Sequence, residues 1–446
     1  MFDLSEKNEA YMSFVDLKYE PDEENDVLVI FRVKPSEGFT IEEVAGAIAA
    51  ESSVGTWTTL YTWYDVSRIN KLKGLAYSIK DQGNGSYLVK VAYPLELFEE
   101  GNIPAFLASV AGNVFGMARI KALRIEDIYL PKKFISWFKG PNFGIRGVRE
   151  KLKIYGRPLV GTVPKPKVGY SPEEVGKLAY ELLTGGMDFV KDDENLASPK
   201  FCSFQKRAEE IMKAIERAES ETGEKKTWLA NITSDVREME KRMRLVAELG
   251  NPHVMIDVVV TGWSSITYMR DLAEEYGLAV HAHRAMHAAF TRNPEHGISM
   301  YTLAKLYRLI GVDQLHIGTP GVGKMDAKAL DVIRMATLLK TERYLPEKED
   351  ENHTPQFFGN IKPTFPVSSG GLHPGVIPEV IKRLGEDVIL QIGGGTIGHP
   401  DGPLSGAMAV RQAVDAAMRG VSLEEYAKEK KELRKALEKW GTRAHL

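Results

Sequence analysis

From residue 159 onward, hydrophobic and polar positions keep one rhythm: a short apolar run, a loop, then a stretch whose apolar residues recur every three or four positions. Apolar runs at 159–163, 189–191, 228–232, 254–260, 279–283, 314–317, 364–368 and 388–392 predict strands. Periodic stretches at 172–183, 204–219, 236–249 and 327–338 predict helices between or after them. Eight strands alternating with helices describe an α/β fold, a C-terminal (β/α)8 TIM barrel. An open doubly wound sheet is the rival, but the first strand is not followed by the glycine fingerprint that would support it. Upstream the pattern is less regular. Runs at 27–33, 75–79 and 87–92 predict strands, the last two joined through the turn Asp81-Gln82-Gly83-Asn84-Gly85. A helix opens at Thr40 or Ile41 and runs through Ala50, with Glu42 and Glu43 in its first turn, where acids suit the helix dipole. These elements predict a smaller N-terminal α+β domain of ferredoxin-like type. Its end falls in the Pro- and Gly-containing connection from Pro131, which gives domains 1–135 and 136–446. Residues 343–362 predict a long loop before the seventh strand, and the Lys/Glu-rich end from Ser422 predicts a solvated helix.

Composition narrows the function classes. A chain of 446 residues with 43% apolar content can build more than one core. A net charge of -3 argues against a nucleic-acid partner, which calls for a basic stripe. The single cysteine, Cys202, excludes an internal disulfide framework and suits a reducing compartment; alone it reads as an incidental thiol. The first residues lack the basic-then-apolar layout of a signal peptide, and no uncharged apolar run reaches transmembrane length. The expected setting is cytoplasmic, with no membrane.

Chemistry gathers at the predicted strand ends, where barrels carry their catalytic groups. Strand one ends in Lys165-Pro166-Lys167 and strand five in His281-Ala282-His283-Arg284, with His287 beyond. Strand six ends in His316, followed by a loop whose glycines precede Lys324 and predict a mobile flap. Strands seven and eight end in Ser369-Gly370-Gly371 and Gly393-Gly394-Gly395-Thr396, which could cradle phosphate with backbone N–H groups or simply turn the chain. A lone strand histidine is more often a hydrogen-bonded core residue than a catalyst. Three histidines and an arginine within seven positions are harder to dismiss.

Strand two runs into Lys191-Asp192-Asp193-Glu194. Alternation puts Lys191 and Asp193 on one face and Asp192 on the other, while Glu194 can turn back to the first. Two converging carboxylates suit a hard cation such as Mg2+. A protonated lysine cannot be a ligand, so Lys191 is either a salt-bridge partner or is modified into an oxygen donor. Alone, the pattern favours the salt bridge. Taken together, the strand ends suit a small substrate with two phosphates bound to Mg2+. A sugar held so can lose a carbon-bound proton, the metal acting as Lewis acid.

These residues carry a specific resemblance. The chain resembles the large subunit of ribulose-1,5-bisphosphate carboxylase/oxygenase over nearly its whole length, in wording closest to the archaeal form III enzymes. The stretches that match are Ala50-Glu51-Ser52-Ser53, Gly55-Thr56-Trp57-Thr58-Thr59, Gly112-Asn113-Val114-Phe115-Gly116 and Lys165-Pro166-Lys167. Beyond them come Gly185 to Asn195, His283-Arg284-Ala285-Met286-His287, Gly323-Lys324, Ser369-Gly370-Gly371 and Gly393-Gly394-Gly395-Thr396. The resemblance implies that Lys191 takes up a non-substrate, activating CO2 as a carbamate (N6-carboxylysine) and holds Mg2+ with Asp193 and Glu194. It implies Lys165, Lys191, His283 and Lys324 as catalytic groups. The carbamate takes the C3 proton, Lys324 polarises the incoming CO2, Lys165 protonates the final carbanion with Lys167 tuning it, and His283 moves protons during hydration. Arg284 and His316 would hold one phosphate, and Ser369, Gly370, Gly371, Gly393 and Gly394 the substrate hydroxyls and the other phosphate. Glu51, Thr56, Trp57 and Asn113 lie in the small domain, which in this family caps a neighbouring subunit's barrel.

The implied reaction joins ribulose 1,5-bisphosphate, CO2 and water into two 3-phosphoglycerates through an enediolate, with O2 as a side substrate. The implied assembly is a homodimer at minimum or a ring of dimers, without a small subunit, and the implied setting is archaeal AMP and nucleotide salvage. Two features depart from the family wording: Val163-Pro164 before the first lysine, and a flap one residue longer than in plant enzymes. A carboxylase-like enolase or isomerase acting on another phosphosugar is the alternative, but it typically loses part of the set Lys165, His283, Lys324 and Glu51. A non-catalytic sugar-phosphate binder has no need of a lysine among metal ligands.

Overall fold

The computed structural model describes residues 10–56, 66–323 and 328–443. It divides into two compact units: 1–139 with 286–309 and 342–361, and 140–285 with 310–341 and 362–446.

The first unit is built on four antiparallel strands, β1 (Asp26–Pro35), β2 (Leu75–Asp81), β3 (Tyr87–Pro94) and β4 (Ile120–Tyr129), in the spatial order β4-β1-β3-β2. Helices Ile41–Glu51 and Ile103–Val110 fall between β1 and β2 and between β3 and β4, completing the ferredoxin-like β-α-β-β-α-β order. Thr40 caps the first helix, its hydroxyl accepting from the Glu43 N–H while the Glu43 carboxylate accepts from Thr40 N. The hairpin predicted through 81–85 is present, with Asp81 opposite Tyr87. The unit also takes in later chain for a physical reason: Gly297–Ile298 pairs in parallel with β4, and Lys305 Nζ donates to Asp127 Oδ1 at 2.6 Å. The long loop predicted over 343–362 is not structureless. Arg343–Tyr344 and Gln356–Phe357 pair there as a short antiparallel ladder.

The second unit holds eight parallel strands: β5 (Leu159–Thr162), β6 (Phe189–Lys191), β7 (Thr227–Asn231), β8 (His253–Asp257), β9 (Ala279–His283), β10 (Gln314–His316), β11 (Phe365–Ser369) and β12 (Ile389–Gln391). They close into a barrel in chain order, β12 pairing with β5 and β9 with β10. The fourth strand is shorter than its apolar run implied. It ends at Asp257, and Val258–Thr261 turns into a helix. The C-terminal helix Lys431–Trp440 buries Leu433 and Ala436, and Gln412 on helix Pro403–Met418 clasps it, its Nε2 donating to Glu432 and its Oε1 accepting from Leu433 N. It is docked along that side, and its other positions form the solvated face expected there.

The barrel floor is a buried cluster that includes Leu159, Phe189, Leu229, Met255, Phe365 and Ile389, with Val148 and Leu152 from helix Gly144–Leu152 against it. Gly161 makes room within it, because a β-carbon there would overlap the Phe189 ring. Gly161→Ala is therefore expected to destabilise the protein by about 1–3 kcal/mol through overpacking, read as a lower denaturant midpoint at unchanged slope.

Candidate active site

At the carboxyl end of β6, Lys191 is buried, and its Nζ donates to the Asp192 carbonyl at 2.7 Å. Burial lowers its pKa; the nearby acids Glu194, Asp257 and Asp193 work in the opposite direction. Asp193 and Glu194 follow it toward the barrel mouth. Lys165 Nζ lies 2.6 Å from Asp193 Oδ2, and Lys167 Nζ lies 2.8 Å from Glu194 Oε1 and 3.7 Å from Asp193 Oδ1. The two carboxylates thus already converge on one point charge. The Lys165 segment is pinned by Tyr170, whose hydroxyl donates to the Lys165 carbonyl at 2.8 Å.

Asp192 faces away, as alternation predicts. Its carboxylate accepts from Trp228 Nε1 at 3.0 Å, Asn231 N at 3.0 Å and Arg207 Nη2 at 3.1 Å. Arg207 is fully buried and also donates to the carbonyls of Ala197 at 2.7 Å and Cys202 at 2.9 Å, so it ties both ends of the loop after β6 together. Cys202 is buried, and burial raises its thiol pKa. Asn231, at the end of β7, braces the same loop through the Asp193 and Glu194 carbonyls.

Across the mouth, His283 Nδ1 lies 2.9 Å from Asp257 Oδ1, and its Nε2 lies 3.9 Å from Glu194 Oε2. Burial lowers its pKa, with Lys191 adding to the effect and Asp257 opposing it. Asp257 was not among the residues expected here; a lone acid inside the apolar run 254–260 was the available signal. Arg284 is half-buried, with its pKa pushed down to about 10 by desolvation, so the guanidinium stays charged at neutral pH. His316 Nδ1 lies 2.8 Å from Ser369 Oγ. Gly370 and Gly371 follow at φ 113° and 82°, where a side chain would be strained, and so turn the chain at the end of β11. Gly393 and Gly394 open the short helix Gly394–Ile397 after β12.

The structure thus brings Lys165, Lys167, Lys191, Asp193, Glu194 and His283 into one linked cluster, with His316 joined to Ser369 beside it: the His283 and His316 rings are 4.7 Å apart. Glu51 closes helix Ile41–Glu51, and Thr56 and Asn113 also belong to the first unit. Trp57 and Lys324 lie outside the described residues.

Cations and acids ranged over the carboxyl ends of a closed parallel barrel, with glycine turns beside them, define an enzyme for an anionic substrate. Residues 144–440 match the catalytic-domain model of the ribulose bisphosphate carboxylase large chain, and residues 13–134 match its N-terminal-domain model. The chain belongs to that family. It is 61% identical to the ribulose bisphosphate carboxylase of Thermococcus onnurineus over 434 residues, covering 97% of this chain and 98% of that one. It is 60% identical to that of Archaeoglobus fulgidus over 433 residues, with the same coverages. Among solved structures it is similar to the dimeric archaeal Rubisco of Hyperthermus butylicus, with TM-score 0.93, 57% identity, and coverage of 97% of this chain and 100% of that one. It is also similar to the octameric enzyme of Pyrococcus horikoshii, with TM-score 0.89, 48% identity and 97% of both chains covered.

Proposed function

We propose that this ribulose-bisphosphate carboxylase joins CO2 and water to ribulose 1,5-bisphosphate and splits the product into two molecules of 3-phosphoglycerate, with O2 as a competing substrate. The observation that carries the reading is the end of β6, where a buried lysine stands beside two carboxylates that share the ammonium of Lys167. Among the described residues no three His, Cys, Asp or Glu side chains converge as a ready metal site. The family resemblance implies a third oxygen donor beside Asp193 and Glu194, and the burial of Lys191 at the end of the same strand supports that role. Burial favours its neutral amine, the form that adds to CO2. As a carbamate it would hold Mg2+ with Asp193 and Glu194. Mg2+, when bound, supplies the Lewis acidity that stabilises an enediolate.

The chain's own groups take the remaining roles. The Lys191 carbamate removes the C3 proton. His283, oriented by Asp257, moves protons during hydration. Lys165 protonates the carbanion left after carbon–carbon cleavage, tuned by Lys167, and Lys324 polarises the incoming CO2. Arg284 takes one phosphate, while Ser369, Gly370, Gly371, Gly393 and Gly394 take the hydroxyls and the other phosphate. His316, whose Nδ1 lies 2.8 Å from Ser369 Oγ, shares that first phosphate with Arg284. We further infer a homodimer at minimum, with Glu51, Thr56, Trp57 and Asn113 of a domain spanning 1–135 completing the barrel domain, 136–446, of another copy. The dimeric and octameric relatives support it. Substrate would come from nucleotide breakdown, as the archaeal form III wording implies.

The test is fixation of labelled CO2 into 3-phosphoglycerate. Preincubation with CO2 and Mg2+ is expected to raise the initial rate at least about tenfold over enzyme stripped with a chelator, and readdition of Mg2+ with CO2 to restore it. Equal initial rates with and without preincubation would remove the carbamate from the reading.

A further inference from the structure

The loop after β10, one residue longer than in plant enzymes, runs Gly318-Thr319-Pro320-Gly321-Val322-Gly323 before Lys324. Its first half is folded tightly. Thr319 and Pro320 are buried, and the Gly321 N–H donates back to the Thr319 carbonyl at 2.8 Å. That closes a three-residue turn centred on Pro320, whose ring fixes the φ such a turn needs. Gly321 leaves the turn at φ 72°, and a β-carbon there would lie 3.0 Å from the Ala329 side chain and 3.2 Å from Arg383 Nη1. Gly323 is packed closer still: a β-carbon would overlap the carbonyl oxygen of Gly370, in the glycine turn that ends β11.

The turn is fastened from outside the loop. Arg383, in the last turn of helix Ile377–Leu384, donates from Nη1 to the Pro320 carbonyl, and its Nε donates to Glu379 Oε1 at 2.7 Å, one helical turn back. A helical Arg–Glu pair alone contributes little. Here it fixes one arm of a planar fork, so that the other arm is already aimed at the loop. The extra length of the loop is therefore not slack. It is folded into a turn that a neighbouring helix holds.

We propose that Arg383 clamps the Pro320–Gly321 turn, sets where Gly323 rests against Gly370, and so acts as a positioning residue for the addition of CO2. The inference rests on the reading of Lys324, next in the chain, as the group that meets CO2, and adds what fixes the limb that leads to it.

Arg383→Met keeps the stem of the side chain and removes its donors. In full-length protein without substrate, hydrogen exchange at the Gly321 amide is expected to quicken at least about fivefold, while the amides of β10 and β11 keep their parent rates. An unchanged Gly321 rate overturns the clamp, and this readout needs no turnover. In kinetics, Arg383→Met is expected to lower the ratio of carboxylation to C3 proton exchange of ribulose 1,5-bisphosphate at least about threefold. The CO2/O2 partition is expected to change at least about twofold, with the thermal midpoint within about 3 °C of the parent. Glu379→Gln, which frees the guanidinium without removing it, is expected to move the same readouts in the same direction by less, and it stands in where Arg383→Met does not fold. A merely structural role would lower exchange and carboxylation together and leave their ratio and the partition alone; that result overturns the proposal. If Lys324→Ala lowers exchange and carboxylation equally, the reading of Lys324 fails, while the Gly321 amide still decides the clamp.

Discussion

Lys191→Met is expected to lose carboxylation by at least about a thousandfold while keeping its fold. Methionine matches the length and apolar stem of the lysine, and the site is buried, so packing survives. It forfeits the bond from Nζ to the Asp192 carbonyl. What methionine cannot do is bind CO2, so Asp193 and Glu194 would be left without the proposed third oxygen donor. The thermal midpoint is expected within about 3 °C of the parent, measured beside labelled CO2 fixation. A variant that fixes CO2 at the parent rate would refute the carbamate.

The second large effect is on stability. Arg207→Met removes the only cation paired with Asp192 among the described residues and leaves a buried carboxylate held by Trp228 and Asn231 alone. An uncompensated buried charge costs about 3–5 kcal/mol, read by denaturant titration. Adding Asp192→Asn is expected to recover a large part of that loss, because the lone charge goes with it. A double variant no more stable than Arg207→Met would show that the arginine acts through the Ala197 and Cys202 carbonyls instead.

The barrel was legible because parallel strands buried on both faces read as continuous apolar runs, and strands 189–191 and 279–283 were read to the residue. Continuity also misled. Val258 to Val260 extend the apolar run of β8, but the strand ends at Asp257, which hid the acid that orients His283. Strand β4 is obscured because Asp127 stands on its buried face, in phase with Leu123 and Ile125, where alternation calls for an apolar residue. The outward turn of Asp192 followed from strand period alone, yet its partner Arg207 lies a loop and a helical turn further on, which no local pattern reveals. Likewise, the contacts of His281 with Gln314 and His316 depend on register between β9 and β10, a property of the closed barrel and not of either segment.

Cys202 gives that loop a native chemical clock. It is the chain's single thiol, and it is buried at the far end of the loop that carries Asp193 and Glu194, with its carbonyl held by Arg207. A thiol reagent can reach it only when this region opens. When reclosing outpaces labelling, the observed rate is the intrinsic thiol reactivity multiplied by the opening equilibrium constant. The breathing of the candidate metal loop can therefore be timed in the unaltered protein, with CO2 and Mg2+ added or withheld, without attaching a probe anywhere else.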